Sequence, residues 1–303
     1  MTEIRIEQVH TDIVKKFWEA SPHATGFNNP SALARLSNTV DWWAAYRSKD
    51  LICLWPVCSA YGGKVCNPVF AYFLGPLFSA EVCVFKYYRY WAVVQQAMQA
   101  FIPFLIGRYR KVIAEMPVGF TDIQAFTWWG HDREPCEQFS VTVRHTARID
   151  ELTSLSIDQI RQNFRRDRRR DLAAIDDNPP RRAATWSFEE IVALHNAPIE
   201  RQGRLVPPER IDALHRVLEV IENESGDAIV YRDPNSDEIA SVMLLVYGKH
   251  DANNVLCVSS DNWRSRGLTA WTTWQGLLQA REKGFTVFDF NGCLLYTSDA
   301  ADE

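Results

Sequence analysis

The sequence of 303 residues lacks most of the short signatures that announce a chemistry. It has no CxxC pair and no mixed Cys/His spacing, which argues against a zinc ribbon or finger. There is no HExxH, no glycine–lysine phosphate loop and no Ser/His/Asp order, so metalloprotease, P-loop kinase and serine hydrolase readings gain no support. Charge of one sign is also scarce: the formal net charge is −5, and no bulk polyelectrolyte partner such as DNA is expected. Met1–Gln8 is polar and charged and does not read as an export signal. With Cys53, Cys58, Cys66, Cys83, Cys136 and Cys257 scattered along the chain, a reducing cytoplasmic location is expected. The longest apolar stretch, Tyr87–Tyr109, is interrupted by Gln95, Gln96, Gln99 and Pro103. It reads as a buried helix and not as a membrane span.

What is abundant is core material. A hydrophobic fraction of 47% and eleven tryptophans predict a well-packed globular protein with room for two domains. The end of the chain stands apart. Cys293–Glu303 matches the translation of a transposase adapter used to prepare sequencing libraries, and is expected to be a non-native tail. On this reading the natural protein continues past Gly292, and a bare apolar edge is expected beside Phe285–Phe290.

Patterning divides the rest into two stretches, 1–150 and 151–292. In the first, a strand at Ile4–Val9, helices from His10 and Pro30, and a hairpin of Val40–Arg47 with Leu51–Ala60 are expected. A strand at Val69–Phe78, the long helix Tyr87–Tyr109, a strand at Lys111–Met116, a short helix and a final strand at Phe139–Ile149 follow. Asn29-Pro30 reads as a helix cap followed by proline at the first helical position. The second stretch predicts one helix at Ser156–Ala174, helices at Phe188–Arg201 and Pro208–Glu222, and then three strands. The basic turn Trp263-Arg264-Ser265-Arg266-Gly267, the helix Leu268–Lys283 and the strand Phe285–Phe290 come last.

Strand, strand, strand, basic turn, helix, strand over 226–292 resembles the acyl-donor half of the GNAT acyltransferase superfamily. Repetition of the element order in both stretches is similar to its FemAB-type branch. The resemblance implies a mixed α+β fold of two tandem GNAT-like units, each a mostly antiparallel sheet flanked by helices, with the second incomplete. It also implies transfer of an acyl or aminoacyl group to an amine in bacterial cell-envelope or polysaccharide biosynthesis. The donor would be acyl-CoA or aminoacyl-tRNA. The acceptor would be a small-molecule or lipid-linked glycan precursor, with peripheral membrane contact and no metal.

The resemblance nominates residues as well. Arg264, Ser265, Arg266 and Gly267 fit the first half of the Gln/Arg-x-x-Gly-x-Gly/Ala phosphate turn, with Thr269 where a small residue is expected. A helix N-terminus offers unpaired N–H groups and positive partial charge, and so attracts phosphate. The same turn also reads as a solvated basic loop. Backbone N–H groups of Val258, Ser259 and Ser260 are candidates for polarising the donor carbonyl. Asp289, among phenylalanines at a strand end, is a candidate base or amine-positioning group, and equally a structural carboxylate. Arg201, Gln202, Arg204 and Asn291 are candidates on the acceptor side. The arginine-rich stretch Arg161–Arg170 is a candidate for guiding an anionic donor, or else a solvated helix face. His195 reads as a structural helical histidine with a minor claim to acid–base work. The aromatic pairs Trp42-Trp43, Trp128-Trp129 and Tyr72-Phe73 read as core before sugar platforms. Two other functions remain open at this level: a non-catalytic binding or assembly protein of a polysaccharide pathway, and a tRNA-dependent aminoacyl ligase.

Overall fold

The computed structural model describes residues 3–60, 62–132, 134 and 137–291. Gly292 and the adapter-like segment Cys293–Glu303 lie outside the described residues. The chain divides into two compact units, Met1–His145 and Thr146–Glu303.

The first unit runs β1 (Ile4–Gln8), α1 (Thr11–Ala20), α2 (Pro30–Leu36), β2 (Val40–Arg47), β3 (Asp50–Ala60), β4 (Lys64–Val65), β5 (Leu77–Phe78), α3 (Ala80–Cys83), α4 (Tyr87–Arg108), β6 (Lys111–Val112) and α5 (Gln124–Trp128). Its sheet has the order β1-β2-β3-β4-β6, with β5 also on β3. The neighbours are antiparallel except β4 and β6. Asn29 caps α2 as its sequence suggested, its side chain accepting from Ser31 and Ala32 N–H. The α4 face Val94, Ala97, Met98, Phe101 and Leu105 packs with Trp43, Trp55 and Val57 of the sheet. Trp43 is core, edge-on to Phe104, whereas Trp128 is exposed. The strands expected at Val69–Phe78 and Lys111–Met116 are largely irregular; only Leu77–Phe78 and Lys111–Val112 pair. Phe70 and Phe73 have positive φ, which breaks the alternation a strand requires.

The second unit runs β7 (Arg148–Ile149), α6 (Ile157–Gln162), α7 (Arg166–Asp176), β8 (Arg181–Arg182), α8 (Phe188–Arg201), α9 (Pro208–Val220), β9 (Gly226–Arg232), β10 (Ile239–Tyr247), β11 (Asp251–Ser259), α10 (Asp261–Arg264), α11 (Leu268–Glu282) and β12 (Val287–Asp289). Its sheet order is β7-β12-β11-β10-β9-β8. All neighbours are antiparallel except β11 and β12. Capping boxes start α6 at Ser156/Gln159 and α8 at Ser187/Glu190, each satisfying two otherwise unpaired N–H groups. On one face of the sheet Met243, Leu245, Ala252 and Phe288 meet Trp271, Trp274 and Leu277 of α11 and Leu172 and Ile175 of α7.

Three expectations are corrected here. The helix predicted over Ser156–Ala174 is two helices: α6 ends against Asn163, and α7 restarts after Arg165, which is extended. The strand predicted over Phe139–Ile149 is only Arg148–Ile149. It joins the second sheet, so the unit boundary falls before it, at 145/146 and not at 150. That strand also occupies the edge expected to be bare: Phe288 pairs with Ile149 and Asp289 with Arg148.

Candidate functional site: the splayed edge of the second sheet

β11 and β12 pair in parallel at three positions only, Asp251 with Val287, Ala252 with Phe288 and Asn253 with Asp289. Just beyond the last pair, β11 carries an extra residue. Leu245 faces Asn254 and Leu244 faces Leu256, leaving Val255 as a bulge against β10. A bulge bends the strand that carries it, and here it lies where β11 parts from β12. From Asn254 to Ser259, β11 has no strand on that side among the described residues.

Asp289 sits at the fork and is 5% exposed. Thr146 Oγ1 donates to its Oδ1, as does the Asn291 N–H at 2.9 Å, and Arg148 Nε lies 3.8 Å from Oδ2. Burial pushes the carboxyl above its ordinary range; the two hydrogen bonds and the Arg148 charge oppose this. The Asn291 backbone is left-handed at φ 45. Both polar atoms of its side chain, and Oδ1 of Asn254, are buried with no hydrogen-bond partner among the described residues. Leaving such a group unpaired costs about 1–3 kcal/mol, which singles out the Asn291 amide and Asn254 Oδ1 as unsatisfied polar groups at the fork. Asn254 was not singled out from the sequence. Only the register that places it beside the fork marks it.

The open edge offers backbone donors, but not those expected. Ser260 N–H donates to Ala240 O at 2.8 Å and is not available to a ligand. Antiparallel pairs alternate in bonding, so Val258 and Leu256 also turn their backbone groups toward β10. Cys257 and Ser259 turn theirs toward the open edge. Ser259 therefore remains a candidate, Ser260 does not, and Cys257 is added. The Ser259 hydroxyl is engaged with Thr269 Oγ1 at 3.0 Å. The departure at Thr269 thus has a local structural role, tying the first turn of α11 to the end of β11.

The basic turn lies at the far end of β11, about 20 Å from the fork at ~3.3 Å per residue. Gly267 is left-handed at φ 86 and forms the N-cap of α11. The turn is largely self-satisfied. Trp263 and Arg264 N–H donate to Ser260 O, Arg266 N–H to Trp263 O and Gly267 N–H to Arg264 O. Arg264 pairs with Asp261 at 3.6 Å, and the Arg266 guanidinium stacks 4.1 Å above the Trp263 ring. Ser265 Oγ reaches only Asn262 O, at 3.5 Å. Hydrogen bonding to Arg201, with Arg264 nearby, holds the Asp261 carboxyl below its usual range.

Arg201 is therefore brought to the basic turn, through Asp261, and not to Asp289. Gln202 and Arg204 follow the C-terminal end of α8, are exposed and make no side-chain hydrogen bond to the fork among the described residues. His195 is buried and fixed neutral. Arg210 Nε donates to its Nε2 at 3.1 Å, so Nδ1 carries the proton toward Asn196 Oδ1 at 2.8 Å. Burial lowers its proton affinity. Both ring nitrogens are thus engaged within the protein.

Two basic segments that are distant in sequence meet. Asp171 of α7 lies against Gly267, and Asp176 Oδ1 accepts from Trp271 Nε1 at 2.8 Å. The numbering rises in the same direction along both helices, so α7 and α11 run parallel. The arginine-rich start of α7 thus projects past the start of α11. Arg161, Arg168 and Arg169 are engaged, with Asp176, Asp171 and backbone carbonyls respectively. Arg165, Arg166 and Arg170 are exposed, with no carboxylate partner among the described residues. Among those residues no group of three His, Cys, Asp or Glu side chains is arranged to hold a metal ion. No described helix is long and apolar enough to cross a membrane.

No sequence-family profile and no curated protein matches the chain. Solved structures do. FemX is similar at 12% identity over 95% of this chain and 88% of its own, with a TM-score of 0.62. The C-terminal domain of a putative lysylphosphatidylglycerol synthetase from Agrobacterium fabrum is similar at 13% identity, over 92% of this chain and 78% of its own, with a TM-score of 0.54. A tandem GNAT protein from the clavulanic acid biosynthesis pathway is similar at 10% identity, over 99% and 93%, with a TM-score of 0.50. The chain has the tandem GNAT fold and is FemAB-like in architecture. At these identities it is the fold that is shared, and function has to be argued from the site.

Proposed function

We propose that this protein is an acyltransferase that moves an acyl or aminoacyl group from an activated donor to an amine, with the reacting carbonyl held at the fork between β11 and β12. The observation that carries this reading is the coincidence at one point of the end of strand pairing, the Val255 bulge, a buried carboxylate, and the Asn291 amide and Asn254 Oδ1 without hydrogen-bond partners among the described residues. That point lies in a fold shared with FemX. The donor would run along the open edge of β11 toward the arginines at the start of α7 and in the turn before α11. Backbone N–H groups of Cys257 and Ser259 face that open edge and would hydrogen-bond the arm of the donor along its path. As the amine attacks, a C–N bond forms, the C–S or C–O bond to the donor breaks, and the proton lost by the amine passes to Asp289. A carboxyl whose proton affinity is raised by burial is suited to that role. Arg201 is reassigned from the acceptor side to support of the basic turn, because its partner is Asp261. Asn291 remains an acceptor-side candidate through its unpaired amide. A cell-wall or surface-polysaccharide precursor in the cytoplasm is the acceptor class we favour, consistent with the likeness to FemX.

The test is a single-turnover assay by mass spectrometry, with acyl-CoA and aminoacyl-tRNA donors and amine-bearing envelope precursors, run on the parent and on Asp289→Asn. Amide formation by the parent and its collapse in the variant would support the reading. A second reading, a non-catalytic binding protein, is favoured by one observation: the Asp289 carboxylate already accepts from Thr146 and Asn291. It predicts ligand binding with no transfer from any donor. Loss of transfer on RNase treatment would identify the donor as a tRNA ester.

A further inference from the structure

The N-terminus of α11 already has an anion against it. A Cβ placed on Gly267 would lie 2.6 Å from Asp171 Cβ, 2.8 Å from Cγ and 3.2 Å from Oδ2. The Asp171 side chain therefore packs against the N-cap residue, and its carboxylate stands beside the helix end that a phosphate would approach. It is held there from two sides. Arg168 pairs with its Oδ2 at 3.2 Å, and the Asp176–Trp271 hydrogen bond fixes the register of α7 on α11. The cations of the turn are committed elsewhere, Arg264 to Asp261 and Arg266 to the Trp263 ring. Four N–H groups of the turn are taken by carbonyls. A phosphate there would stand well within a screening length of the carboxylate, so salt would weaken their repulsion little, and Arg168 offsets only part of it.

Resting on the reading that the second unit takes an acyl donor, we propose that Asp171 is a specificity-determining residue. It closes the N-terminus of α11 to a diphosphate and disfavours donors of the coenzyme A type. The anionic groups of the accepted donor fall instead to Arg165, Arg166 and Arg170, which project past α11 without carboxylate partners among the described residues.

The experiment titrates the full chain with coenzyme A and with pantetheine, which shares the arm and lacks the diphosphate. The parent should bind coenzyme A no more tightly than pantetheine. Asp171→Asn keeps the shape and removes the charge. It should gain at least about tenfold for coenzyme A, as expected for removing one close like charge, and nothing for pantetheine. No gain in the variant, or an equal gain for both probes, overturns the proposal. If the variant fails to fold, the parent alone decides: coenzyme A bound more than tenfold tighter than pantetheine also overturns it. These outcomes are separate from the failure of the functional reading, which is read as absence of transfer from every donor in the single-turnover assay.

Discussion

Asn253 and Asp289 form the last pair of the parallel β11–β12 ladder, and the next residue but one on β11, Val255, bulges away from β10. Ladder and bulge together place one buried carboxylate at the root of an open strand edge.

Asp289→Asn should lower turnover on the order of 10²-fold, the contribution of a general base, and leave donor affinity nearly unchanged. Thr146→Val should shift the pH profile instead. It removes a hydrogen bond that holds the Asp289 proton affinity down, so the rising limb should move to higher pH. Profiles of kcat/KM for both variants would check this. A flat response to Thr146→Val would mean that Asp289 does not titrate in the reaction.

Stability should carry the same signature. The folded-state pKa of Asp289 is raised by burial, so the folded protein binds the proton more tightly than the unfolded chain. Its contribution is complete below the ordinary carboxylate value of about 3.9. It is lost as the pH rises through the raised value. The Tm of the parent should therefore fall relative to that of Asp289→Asn on going from about pH 4 upward. His195 has the opposite sign. Its folded value is lowered by burial, so its stabilisation is present when neutral and lost as the pH falls below its ordinary value of about 6.5.

Alanine at Arg165, Arg166 and Arg170 together should weaken donor binding more than alanine at Arg264 and Arg266, because the latter pair is already engaged by Asp261 and Trp263. The salt dependence is the sharper readout. Each lost phosphate contact lowers the slope of log affinity against log salt by about 1. An unchanged slope in the triple variant would remove α7 from the donor site.

Gly226→Ala should destabilise the second unit by at least about 2 kcal/mol, at the upper end of overpacking effects. The added methyl would lie 2.2 Å from the Leu245 carbonyl oxygen. That oxygen belongs to a fully buried strand with strands on both sides, which cannot move aside. Chemical denaturation would measure the loss.

Much of the architecture was legible because it is local. The hairpin of Val40–Arg47 with Leu51–Ala60, the Asn29-Pro30 cap and the alternation over 226–259 depend on residues that are near neighbours in the chain, and the corresponding elements form. So does the basic turn before α11, with Gly267 in the left-handed conformation that glycine tolerates best. Asp289 was likewise visible as a carboxylate among phenylalanines. What composition and periodicity could not reveal was pairing. Arg148–Ile149 looked like the end of one unit and is a strand of the other, because strand membership is decided by hydrogen bonds to residues 140 positions away in sequence, roughly, and not by the strand's own side chains. The same holds for the site. That Ser260 N–H is spent on Ala240, that Asn254 Oδ1 stands unpaired at the fork, that Arg201 supports the basic turn, and that Asp171 packs against Gly267 are all facts of register and helix packing. The sequence by itself determined which residues carry charge, the long helices α4, α8, α9 and α11, and the strands of 226–259. Only the tertiary structure decided which of those charges remain available to a ligand, since a group's chemistry depends on the partners that distant parts of the chain bring to it.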